Sequence, residues 1–158
     1  MRKAFVCLTI LLSAPGSAQT AALLNARSAQ AIVAGCSAHA AAKKQSHAIA
    51  VVDAGGHLVS GLRMDGNGSG IFDFSLAKAE AVAAWGFPTA QMEQAVKETS
   101  GFANAPHVVT VPGGVPVWSA DGKLRLGGVG VSGEAAVDDV ACAEAGIRAA
   151  GLRSSRAP

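Results

Sequence analysis

The stretch VVTVPGGVPVWSADGKLRLGGVGVSG, Val108 to Gly133, decides the fold. It sets apolar, β-branched runs between segments of turn chemistry. Val108–Val111 reads as a strand, Pro112-Gly113-Gly114 as a tight turn, and Val115–Ser119 as a second strand. Ala120-Asp121-Gly122 supplies a hairpin turn, because Asp-Gly accepts the positive backbone angles that a type I′ turn needs. Leu124–Val131 is then a further strand, and its glycines allow a bulge or the close approach of another group.

Working outward, Ala48–Asp53 and His57–Met64 flank Ala54-Gly55-Gly56 and read as another hairpin. Asp65–Gly70 is all turn chemistry and reads as a loop. The remaining segments have helical character. Ala22–Lys44 lacks proline and is rich in helix formers, with Ile32, Val33, Cys36 and Ala40 on one face. Asp73–Trp85 is a second helix with Asp73 as its cap, and Ala90–Glu98 a third with Thr89 before it. Asp138–Leu152 is the last. Hairpins dominate, so the class is α+β: a mainly antiparallel five-stranded sheet flanked by helices. If the first and last helices cover one sheet face, Cys36 and Cys142 meet and can form a disulfide, with a chain-entropy benefit of roughly 4–5 kcal/mol. Two buried thiols are the alternative.

The N-terminus has its own logic. Arg2 and Lys3 precede the apolar run Ala4–Leu12, and Pro15-Gly16-Ser17-Ala18 offers small residues for cleavage. That order is the signature of a secretory signal peptide over residues 1–18, followed by one domain over residues 22–153. The run is shorter than the roughly 20 residues a membrane span requires, and no later stretch qualifies. A periplasmic or secreted location follows, and such a compartment favours disulfides. The chain has 13 Lys and Arg against 11 Asp and Glu, and loss of Arg2 and Lys3 balances them. A neutral surface argues against nucleic-acid binding, which depends on clustered positive charge. With five Phe, two Trp and no Tyr, an aromatic base-stacking platform is also excluded.

Four segments, in order, resemble one family: Val51–Gly66, Ser75–Thr89, Val111–Gly133 and Asp138–Ile147. The set is similar to the GlcG/HbpS-like haem-binding family, whose relatives include the C-terminal domain of PduO-type proteins. The resemblance implies a profilin-like α/β/α sandwich, assembly into homo-oligomers, and haem as cofactor. Secreted members of the family can carry an acidic D/E-x-x-E iron site on a helix. The matching segment here, Ala77–Ala81, has Glu80 alone, so that site is not expected.

Haem iron needs an imidazole, thioether, thiolate or phenolate beside an apolar slot. With no Tyr and with the cysteines buried or paired, four histidines and Met64 and Met92 remain. His107, next to Pro106 and flanked by Val108, Val109 and Phe102, is the leading ligand; a solvated loop histidine is the alternative. His57 at a hairpin tip and Met64 at a strand end follow it; solvent and core packing are their ordinary roles. His39 is expected to face water, and His47 has no distinctive neighbour. Arg63 and Lys78 suit haem propionates, with ion pairs to Asp65 or Asp73 as the alternative. Gly113 and Gly114 complete the candidate set. Metal-ligand spacings such as CxxC and HExxH are absent. The glycine cluster Gly127–Gly133 lacks the order of a phosphate loop and reads as a strand-edge cluster at a ligand slot or subunit contact.

The sequence therefore points to an exported haem-binding protein, more a binding protein than a conventional enzyme. Two alternatives stand beside it: an accessory protein or enzyme acting on a small carboxylate such as glycolate, and an oligomeric structural module.

Overall fold

The structure is a computed structural model, and it describes residues 24–158. The expected signal peptide lies outside the described residues. The elements run α1 (Ala26–Lys43), β1 (Ala48–Asp53), β2 (Leu58–Arg63), α2 (Ser69–Trp85), α3 (Thr89–Glu98), a short 3₁₀ turn (Phe102–Asn104), β3 (Gly114–Trp118), β4 (Arg125–Ser132) and α4 (Ala136–Ala149). The sheet is antiparallel throughout, in the order β2-β1-β4-β3.

Turn chemistry builds both hairpins. The Asp53 carboxylate accepts from Gly55 N and His57 N, each at 2.9 Å, and closes the β1–β2 turn. Those amide donors hold the Asp53 carboxyl below its ordinary range. Asp121 does the same work between β3 and β4, accepting from Ser119 Oγ and Lys123 N.

Alternation along the inner strands sorts residues onto two faces. Ile49, Val51, Val129 and Val131 point into the larger core with Ile32, Cys36, Cys142 and Ile147 of α1 and α4. Ala50 and Val52 point the other way, toward Ala79 and Ala83 of α2. On that second face the middle of β4 offers glycines, Gly128 and Gly130, between Arg125 and Ser132 at its ends. A Cβ at Gly130 would collide with the Ser75 carbonyl, and one at Gly128 would lie 2.7 Å from the Ala79 carbonyl. The glycine cluster is thus not at a sheet edge: β4 is an inner strand, and its missing side chains let α2 settle onto the backbone. The result is three layers, helix on sheet on helix.

The α1–α4 layer is cross-linked. Cys36 and Cys142 form a disulfide with their Cα atoms 4.7 Å apart, inside the range a bridge requires. Glycine makes the approach possible here too, since a Cβ on Gly146 would strike the Ile32 carbonyl.

Several expectations are corrected. The sheet has four strands, not five, because Val108–Val111 forms no ladder. A β-branched run favours extended backbone, but a strand needs an edge in register. Pro112 lacks an N–H, Gly113 turns the chain at φ +126°, and the Gly113 carbonyl takes the bond from Val131 N. α1 begins at Ala26, where the Asn25 side chain accepts from Ser28 N at 2.9 Å. α2 starts at Ser69 rather than Asp73, with Gly68 in the cap position. Phe72 packs against Gly61 of β2, and that tertiary contact extends the helix through a segment whose glycines read as loop. Thr89 is the first residue of α3, and its hydroxyl accepts from Gly114 N at 3.0 Å.

Candidate functional site

α2 carries polar groups to two cavities. The first is built on buried charge. Lys78 points from α2 into the core and is 1% exposed. Its ammonium donates to the Val131 carbonyl at 2.8 Å and to Asp139 Oδ2 at 3.2 Å. It also sits 4.8 Å from the centre of the Phe74 ring, a cation–π distance. Burial pulls the Lys78 amine below its ordinary pKa, and the Asp139 carboxylate opposes that pull. The other oxygen of Asp139 meets His47 Nδ1 at 3.1 Å and accepts from Glu134 N at 3.3 Å. Lys78, Asp139 and His47 thus form one buried network, with His47 Nε2 lacking a partner among the described residues. Lys78 and Asp139 of the network line a cavity of about 250 Å³ with Ile71, Phe74, Val111 and Ser132, and His47 lies behind them.

The second cavity is built on small residues. Ala54, Gly55 and Gly56 of the β1–β2 turn, Glu80, Ala83 and Ala84 of α2, and His107 enclose about 160 Å³. His107 stands at φ +58°, a left-handed conformation uncommon for a residue with a Cβ. Its neighbour anchors it: Trp85 Nε1 donates to the Pro106 carbonyl at 2.9 Å, and the Trp85 ring meets Phe102 edge-on at 4.8 Å. The His107 imidazole makes no hydrogen bond among the described residues. Arg125 closes the end of α2 by donating to the carbonyls of Val82 and Ala83.

The sequence-derived candidates divide between these places. His107 lines the small-residue cavity. His57 borders it, its exposed ring lying against Gly55 and 3.2 Å from Asp53. Lys78 belongs to the charged cavity, and Gly113 leaves the space above its Nζ open. Gly114 lets Thr89 and Val82 pack against β3. Met64 packs against the larger core, and its sulfur accepts from His47 N at 3.5 Å. Arg63 donates to the Asn67 carbonyl beside Phe72 and Asp73. Neither Arg63 nor Lys78 pairs with Asp65 or Asp73; the partner of Lys78 is Asp139. His47, read as having no distinctive neighbour, is fully buried against Asp139, and His39 is half-buried with its Nε2 enclosed. Asp139 and Ser132 were missed as site residues. One signal was available: Asp139 shares a helical face with Cys142, Ala143 and Gly146, so an acid stood where the core begins.

A three-layer α+β domain with a cross-linked helix pair and two cavities along one helix is the class these observations define. Residues 24–148 match the family model described as haem degrading protein HbpS-like. Protein GlcG of Escherichia coli strain K12 is 36% identical over 115 residues, spanning 72% of this chain and 84% of GlcG. The chain belongs to the HbpS-like family. Among solved structures, the PduOC:haem complex matches with a TM-score of 0.76 at 21% identity, covering 85% of this chain and 100% of that one. HbpS matches with a TM-score of 0.74 at 23% identity over 86% and 96% of the two chains. Protein ORFY of Klebsiella pneumoniae matches at 0.76 and 24% identity over 87% and 97%. At such identities the solved structures establish the fold alone.

Proposed function

We propose that this protein binds haem, with His107 as the iron ligand. The observation that carries the proposal is an imidazole without a hydrogen-bond partner, held at a left-handed backbone position above a wall of glycine and alanine. Ala54, Gly55, Gly56, Ala83 and Ala84 project nothing beyond Cβ, so apart from Glu80 the wall has the low relief that a flat macrocycle needs. The family description and the haem complex of a structural neighbour support the same ligand.

The residues fit haem in kind but only partly in volume. A cavity of about 160 Å³ is smaller than the roughly 300–1,000 Å³ of ordinary ligand pockets, so one chain would cover part of the ring. A second copy of the chain would cover the rest, which supports homo-oligomeric assembly. Arg125, anchored beside the slot on Val82 and Ala83, is placed to receive a propionate. When bound, haem supplies an iron centre whose reactivity follows its axial ligand and the polarity around it. The chain's own part is to present the imidazole and to exclude water from one face.

The proposal includes export. The basic Arg2-Lys3 pair, the apolar run after it and the small residues before Gln19 support a cleaved signal peptide. The Cys36–Cys142 bond is consistent with an oxidising compartment, periplasmic or extracellular. The three-layer order supports the profilin-like description of the sandwich.

Titration of purified protein with haemin, followed by absorbance, is the test. The expected result is a saturable Soret shift that His107→Ala changes in position or intensity. An unshifted Soret band at micromolar haemin would remove the haem reading, and an unaltered His107→Ala spectrum would remove His107 from the iron.

A further inference from the structure

We propose that the cavity beside Lys78 is a second site, which binds a small aliphatic monocarboxylate. It is separate from the His107 slot and does not depend on the haem proposal. The first observation is a donor with nothing to bond. Ser132 is 3% exposed, lines this cavity, and its hydroxyl has no partner among the described residues. Enclosed hydroxyls are ordinarily satisfied, and one that is not marks a place where an absent partner belongs.

The second observation is the set of donors around it. An ammonium has three N–H groups. Two of Lys78's go to Val131 and Asp139, and the third is left to the face of Phe74, itself a lining residue. The N-terminus of α4, a 14-residue helix, opens beside the cavity at Ala136. Its cap residue Ala135 offers no side-chain acceptor, and Asp138 N turns back to the Ala135 carbonyl, so the N–H groups of Ala136 and Val137 are the ones left free at this end, beside the first-turn acids Asp138 and Asp139. Lysine, hydroxyl and helix N-terminus all call for an acceptor that carries negative charge.

The carboxylates already on the wall serve Lys78 through Asp139 but leave the Ser132 hydroxyl without an acceptor. Asp139 is held between Lys78, His47 and Glu134 N. Glu134 accepts from Ser46 N at 2.9 Å. The mouth is apolar: Ile71, Phe74 and Val111 are 36%, 38% and 42% exposed, unusually open for their type. About 250 Å³ suits an acid of a few carbons, its carboxylate on Ser132 and Lys78 and its chain against these three. An inorganic anion would leave the apolar mouth unused.

The test is a titration of purified protein with butyrate, with butyramide as the neutral match and sodium chloride as the ionic control, followed by heteronuclear NMR. Saturable shifts at the amides of Gly133, Ala136 and Val137 are expected with butyrate and not with the other two. Ser132→Ala, which removes only an unpartnered hydroxyl, should stay folded and bind butyrate about tenfold more weakly, the loss of one charge-assisted hydrogen bond. Val111→Asp changes only the exposed rim and should also weaken binding through like charge. The proposal is overturned if butyrate produces no saturable shift, if butyramide binds equally well, or if both variants bind as the parent does.

Discussion

The two cavities along α2 are made in opposite ways. Around Lys78 the Lys78 and Asp139 charges are sunk into the core and bound to each other, so the site is part of what holds the layers together. Around His107 the wall is glycine and alanine with Glu80, and the imidazole hangs from a loop with its ring unbonded. The first cavity is stable because its buried charges bond one another, with the Ser132 hydroxyl left over. The second is available because its imidazole is spent on nothing. The difference separates a residue's contribution to folding from its contribution to binding, and substitutions can widen or erase it.

The largest effect belongs at the buried network. Asp139→Ala leaves the Lys78 ammonium and His47 without their acceptor, and should lower unfolding free energy by about 3–5 kcal/mol, the range for breaking a buried pair. Denaturant midpoints read this directly, and a loss below about 1 kcal/mol would put the two cavities on an equal footing. Next comes the helix seat: Gly130→Ala pushes a methyl against the Ser75 carbonyl and should cost about 1–3 kcal/mol by overpacking.

At the other cavity the sign reverses. His107→Gly removes the left-handed strain of a residue with a Cβ, so stability should hold level or rise by up to about 1 kcal/mol. The same substitution should abolish the haem-dependent Soret change. A gain in thermal midpoint with a loss of haem spectrum would show strain kept for binding; a marked destabilisation would show the loop to be structural.

The smallest effect is a pH term at the turn that floors this cavity. The Asp53 carboxyl titrates below its ordinary value because His57 N and Gly55 N donate to it. Its contribution is therefore complete above the unfolded-state value and is lost as pH falls through the lower folded-state value. Asp53→Asn should remove that contribution at neutral pH and leave the low-pH end little changed, so the acid limb of the stability profile flattens.

Where chain-local chemistry determines structure, the sequence was legible. Asp-Gly and Gly-Gly turns located both hairpins, and helical spacing located the four helices and the meeting of Cys36 with Cys142. It failed where a distant partner decides. VVTV has the residues of a strand but no edge to join, and α2 gains its first turn from Phe72 meeting Gly61. The same holds for the sites. His107 stood out because Pro106, Val108, Val109 and Phe102 give it an apolar setting along the chain. The bonds from Lys78 and His47 to Asp139 span 61 and 92 residues, and no local pattern announces such a meeting.

The disulfide adds a matter of timing. Cys36 and Cys142 stand 106 residues apart, on the first and last helices, so both hairpins, α2 and α3 lie within the loop the bond closes. Cross-linking cannot come early in biosynthesis. It waits until α4 has been synthesised and has docked on α1, and a chain halted before that moment carries Cys36 without its partner. Oxidation of this pair thus marks a completed domain, a chemical receipt that a thiol-trapping assay on newly made chains could read.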